Sequence, residues 1–158
     1  MGLPKIQTPT FSLKLPSNGQ KIVYRPFQVR EEKMLLIAQQ SEETEDQVRT
    51  IKQILSNCIV EPSDIEVEKM ASFDIEYLFL KLRAKSVGEI VEIKVIPQKR
   101  EGLPPMDAEV NLDELEPTFD PKHTNMIDIG NEIKIQMQYP TFEMVTKLGE
   151  TNDADSLF

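Results

Sequence analysis

The stretch FDIEYLFLKLRAKSVGE, Phe73 to Glu89, is apolar on nearly every face a helix could present. Phe73, Tyr77, Leu80 and Ala84 recur at i, i+4, i+7 and i+11, and Ile75, Leu78, Phe79 and Leu82 fill a second face. Polar side chains keep only a thin stripe. Such a helix has to be buried, so the remaining chain must be able to surround it. At 158 residues it can, as one ordinary domain or two small ones, with a core that needs neither disulfide nor metal. Ser72 is placed to cap the start, Lys81, Arg83 and Lys85 suit the negative end of the helix dipole, and Gly88 supplies a stop.

Ahead of this helix, Phe11, Leu13 and Leu15 alternate with Ser12 and Lys14, and Pro16-Ser17-Asn18-Gly19 turns the chain into Lys21-Ile22-Val23-Tyr24-Arg25. This is a hairpin pattern, ended by Pro26. Val29 to Gln40 then reads as a helix with Met34, Leu35, Ile37 and Ala38 on its apolar side. The acidic run Glu42, Glu43, Glu45 and Asp46 precedes a second helix bearing Val48, Ile51, Ile54, Leu55 and Cys58, with Thr44 and Gln47 spaced as a capping box. A solvated first turn accounts for those acids, so they are assigned no site. Ser63 to Glu68 is a connector of strand or turn character. Helices one and three are the apolar ones, and they are expected to form the middle of this domain.

After Gly88 the period changes from helical to alternating. Val91, Ile93 and Val95 alternate with Glu92 and Lys94, and Met106, Ala108, Val110 and Leu112 with Asp107, Glu109 and Asn111. The loop between them, Pro97 to Pro105, is poor in apolar anchors. Met126 to Ile129, a turn at Gly130-Asn131, and Ile133 to Tyr139 give another hairpin, closed by Pro140. From Thr141 to Leu148 a helical pattern carries Phe142, Val145 and Leu148 on one face, with no evident place to pack before Gly149 and a polar tail. That turn either docks onto another chain or belongs to a longer product shortened here. The expected architecture is α+β: residues 1–88 a hairpin with three helices around a buried helix at 73–86, 89–140 a small antiparallel β-rich lobe, and 141–158 a helical turn and tail.

The search for chemistry finds little. His123, the only histidine, sits beside Asp120 in Asp-Pro-Lys-His-Thr and reads as a surface residue, because a tetrahedral metal site takes three or four ligands. Cys58 lies on an apolar helical face and reads as a small core residue. None of the six glycines forms a dinucleotide or phosphate-binding loop. Acid pairs such as Asp74 and Glu76 are i, i+2 and diverge on a helix. No cofactor, metal or catalytic residue is assigned, and the chain is expected not to be an enzyme. Eighteen basic against 27 acidic residues give a net charge of −9, which opposes binding to nucleic acid or an anionic membrane. No apolar run approaches the ~18 residues of a membrane span.

The buried-helix segment resembles a signature of the baseplate hub family of T-even-type contractile-tailed bacteriophages. LPSNGQKIVYRPFQVREEKMLLIA, Leu15 to Ala38, is similar to the opening of the same family. The resemblance runs from Phe11 to Val95 and is looser beyond. It implies a non-enzymatic role in hub assembly through contacts with other baseplate hub or tail proteins, in the host cytoplasm during assembly and in the virion baseplate. The alternative is a transient tail or hub assembly chaperone absent from the mature virion, since hairpin, Arg-Pro and charged helix also resemble the front of some tail assembly chaperones. Leu103, Pro104, Phe142, Val145 and Leu148 are the candidate partner-binding residues, and self-association stays open.

Overall fold

The computed structural model describes residues 8–41, 44–96, 104–130 and 133–150; of residues 44, 45 and 148–150 it describes the backbone alone. Strands β1 (Phe11–Lys14) and β2 (Lys21–Tyr24) pair antiparallel, with Phe11 opposite Tyr24 and Lys14 opposite Lys21. Alternation sends Ile22 and Tyr24 into the core and Lys21 out. The expected turn is present. Gly19 takes φ +71°, where an L side chain is disfavoured, and its N–H donates to the Leu15 carbonyl at 2.8 Å.

At the strand-to-helix corner the chain makes a local ion pair that composition does not advertise. Glu31, in the first turn of α1 (Val29–Gln40), is 1 % exposed. It accepts from Arg25 at 3.0 and 3.3 Å in a bidentate fork, and from the Gln28 backbone N–H at 2.9 Å. The last bond is half of a capping box that starts the helix. Arg25 in turn donates its backbone N–H to the Cys58 carbonyl at 2.9 Å, which ties the corner to the next helix.

Helix α2 (Thr44–Cys58), not α1, accompanies the apolar helix in the middle. Ile54, Leu55 and Cys58 are inaccessible, whereas Leu36 and Ile37 of α1 are 57 and 59 % exposed. The spacing explains the reversal. Ile51, Ile54, Leu55 and Cys58 form one stripe, while Leu35, Leu36 and Ile37 are consecutive and so fan around the helix, where one packed face cannot cover them all. A further strand, β3 (Ile59–Glu61), continues directly from α2 and pairs antiparallel with β2, giving the order β1-β2-β3. The Glu61–Pro62 peptide is cis, and the connector that follows contains a 3-10 turn, Val67–Lys69, with Val67 buried.

Helix α3 (Ser72–Ser86) is enclosed as its sequence requires: Ile75, Leu78 and Leu82 are buried, and Glu76 alone is exposed. Its start differs from expectation. Ala71, not Ser72, is the N-cap and offers no side-chain acceptor. The Ser72 N–H instead donates to the Pro140 carbonyl at 3.1 Å, so a distant segment satisfies an end group that capping normally serves. Buried Asp74 accepts from the Ser17 backbone N–H at 3.0 Å and from the Ser17 hydroxyl, which pins the first hairpin turn onto α3.

Beyond α3 the strands form two separate ribbons, not one sheet: β4 (Ile90–Val95) with β5 (Met106–Asn111), and β6 (Met126–Gly130) with β7 (Ile133–Gln136). Helix α4 (Phe142–Glu150) follows.

The hydrogen-bonded Arg25 guanidinium holds the Glu31 carboxyl below its usual range. A carboxylate with a depressed folded-state value stabilises the fold above its unfolded value, and that contribution is lost as pH falls through the folded one. Glu31→Gln should therefore cost about 1–3 kcal/mol at neutral pH. Urea titrations should find this deficit shrinking as pH is lowered below the ordinary glutamate range.

Candidate interaction surfaces

Both ribbons carry apolar faces that the described residues leave partly exposed. Val91 stands opposite Val110, Ile93 opposite Ala108 and Val95 opposite Met106, and directly opposed residues share a face. Ile93, Val95 and Met106 on that face are 42, 41 and 59 % exposed. The other face carries Ile90 opposite Asn111, Glu92 opposite Glu109 and Lys94 opposite Asp107, with Ile90 and the four charged residues exposed. In the second ribbon Ile127 stands opposite Ile135, and Ile133 and Met137 follow the same alternation, again exposed. Its reverse face pairs Asp128 with Lys134 and is close to neutral.

Each ribbon is anchored at its base. Lys81 projects from α3 into the protein, 7 % exposed, and its ammonium donates to the carbonyls of Leu112 at 3.2 Å and Asp113 at 2.6 Å. Its Nζ also lies 5.2 Å from the Tyr77 ring centroid. One turn later Lys85 pairs with the Asp113 carboxylate, which raises the lysine's pKa and lowers the aspartate's. Leu112 is buried and its N–H donates to the Glu89 carbonyl at 2.7 Å, closing the ribbon's open end. For the second ribbon, Phe73 of α3 meets Tyr139 edge-on at 4.8 Å and Phe119 at 6.0 Å. Lys81 and Lys85 thus do more than complement the helix dipole. The missed signal was placement: a lysine between Leu80 and Leu82, on a helix with almost no solvent face, has to find oxygen inside.

Of the five partner-binding candidates, Leu103 lies outside the described residues, as does the Leu148 side chain. Pro104 is exposed. Phe142 does have a place to pack, contrary to expectation. It is half-buried against the core, its N–H donates to the Met70 carbonyl at 3.0 Å, and Lys52 lies 5.9 Å from its ring centroid. The pattern there runs on as α4, longer than the single turn read from sequence, and Val145 stays 42 % exposed. Of the described candidates, Phe142 and Val145 lie on α4 and Pro104 lies beside β5, while exposed apolar residues of the ribbon faces, such as Ile93 and Ile127, were not among the five. A groove of about 510 Å³ between α1 and α3, with Phe27, Leu35, Phe79 and Val87 in its lining, is a further apolar recess.

The residues with chemical potential are dispersed. Cys58 is inaccessible in the core, where burial pushes its thiol up to about 11. His123 is exposed and stacks on Tyr139 with ring centroids 6.0 Å apart. Among the described residues no three His, Cys, Asp or Glu side chains converge to hold a metal ion, and no helix is long and apolar enough to cross a membrane.

A small α+β body that anchors two apolar-faced ribbons by buried lysine and aromatic contacts defines a protein built around surfaces. The model of the family described as T4 bacteriophage base plate protein matches residues 8–158, and the chain belongs to that family. It is a phage baseplate protein. No match was found among curated proteins or among solved structures.

Removing the Lys81 ammonium strips hydrogen bonds from two carbonyls at the ribbon's base. Lys81→Met should cost about 1–3 kcal/mol and speed hydrogen exchange at Leu112 and along β4 and β5 more than at Ile22 in the core. The Cys58 thiol should resist a thiol reagent at pH 8 in the native protein and react at once in denaturant.

Proposed function

We propose that this baseplate protein is a hub component that acts without catalysis, by burying its surfaces against other baseplate or tail proteins while the baseplate centre is built. The observation that carries this reading is the pair of ribbons with unpartnered apolar faces. A two-stranded ribbon is marginal in water by itself, and a contiguous apolar face bounded by polar residues is the usual mark of a contact surface. A standard interface takes about 800 Å² from each partner, an area that calls for more than one such ribbon face. Assembly would take place in the host cytoplasm, and the net charge of −9 turns the chain away from nucleic acid and anionic lipid.

The second reading, a transient chaperone that leaves before the virion is complete, draws support from the same net charge, which favours solubility without a partner. Mass spectrometry of purified virions and of tail-assembly intermediates separates the two. Stoichiometric peptides from Ile22 to Arg49 in mature virions are the expected result. Peptides confined to intermediates would assign the chaperone role, and absence from both would defeat the hub reading altogether.

A further inference from the structure

We propose that residues 1–7 of this chain lie in the groove between α1 and α3 as a strap, with Leu3 and Ile6 against its apolar lining. Such a strap would serve a hub subunit and a chaperone alike.

The groove has a volume of about 510 Å³. Phe27 and Phe79 of its lining meet with ring centroids 5.9 Å apart, and both are only partly buried, as is Leu35. The Phe27 N–H donates to the Ser86 hydroxyl at 2.8 Å, which brings the start of α1 beside the end of α3. At that end Val29 and Val87, which also line the groove, are 80 and 72 % exposed.

The described chain begins at the same end. Antiparallel pairing sets Phe11 opposite Tyr24, so the residues before Phe11 run toward the segment that follows Tyr24. Thr8 reaches Gln28, whose Nε2 donates to the Thr8 hydroxyl at 3.5 Å. Gln28 is the N-cap of α1 and part of the groove lining. The chain ahead of Thr8 is therefore tethered at the mouth.

Length and composition then select the occupant. From Gln28 to Gln39, which lines the groove further along, α1 rises about 16 Å. Pro4 and Pro9 turn the residues before them toward extended or polyproline backbone. With three residues per turn and a rise of about 3.1 Å per residue, Ile6 would lie about 6 Å from Thr8 and Leu3 about 15 Å, both on one side. Those positions fall near the levels of Glu32 and Gln39. The segment's only charged side chain is Lys5, and Glu32 and Arg83 contribute one charge of each sign to the lining. The tether also holds the segment at an effective concentration of about millimolar, against which a second copy or a separate protein has to compete.

The test places a photo-crosslinking residue at Leu3 or at Ile6 in the purified full chain and maps the adducts by mass spectrometry. Both positions should crosslink within one chain to peptides of α1 or the end of α3, with a yield unchanged by hundredfold dilution. Adducts between two copies that vanish on dilution would overturn the strap, as would adducts confined to other parts of the chain.

Hydrogen exchange supplies a second readout without the probe. Leu3→Asp with Ile6→Asp should quicken exchange along α1 about tenfold while leaving Ile22 in the core unchanged. Gln7→Asp, which adds a charge without removing an apolar side chain, should leave α1 as it is. An equal effect from Gln7→Asp would assign the change to charge and reject the seat, and unaltered exchange in the double variant would reject it as well.

Discussion

A helix with no side to give to water dictates the rest of this protein. Fourteen of the fifteen residues of α3 are at least partly covered, and no single neighbour can do that. The three-stranded sheet and α2 contribute most of the core around Leu78 and Leu82, and the chain beyond residue 88 is drawn back to complete the cover. Enclosure on that scale forces the polar residues of α3 to be satisfied inside. Asp74 takes its bonds from Ser17 and Lys81 gives its own to Leu112 and Asp113. Buried polar groups left unpaired are costly, so the same two side chains that make α3 hard to bury also specify which segments bury it.

That pairing links the core to the interaction surfaces. Lys81 and Lys85 face one way toward the base of β4 and β5, and Phe73 faces the segment around Tyr139 that leads out of the second ribbon. The core residues of α3 therefore act as the mounts of the exposed parts. In a baseplate protein this matters because a contact surface has to keep a fixed geometry relative to the body while offering its apolar face to a neighbour. Anchoring by buried hydrogen bonds at the base leaves the faces themselves open.

Much of the fold was legible in the sequence where one periodicity dominated: α3 from its continuous apolar pattern, the first hairpin from alternation and Gly19, the two later ribbons from the change of period after Gly88. The misses share a cause, which is that burial is decided by neighbours the local pattern does not name. Leu36 and Ile37 are as apolar as Ile54 and Leu55, yet only the latter pair belongs to a stripe that enters the core. Ile59 and Val60 continue the apolar run of α2 and became a strand because β2 had a free edge. Phe142 lacked a visible seat until Met70 and the start of α3 were brought beside it. Of the candidate surface, the strands were read but their exposure was not, since alternation reports which residues share a face and says nothing about whether anything covers it.

The bond from the Ser72 N–H to the Pro140 carbonyl, together with the bridge between Ala71 and Thr141, has a consequence for the order in which the chain takes shape on the ribosome. Contacts near in sequence, such as the corner at Arg25 and Glu31 or either ribbon, can form as soon as their few residues emerge, because little loop entropy stands in the way. The start of α3 cannot be completed on that schedule. It waits for a segment almost seventy positions further on, by which time both ribbons have been synthesised. The residues of both ribbons are thus synthesised before the helix that mounts them can be finally sealed.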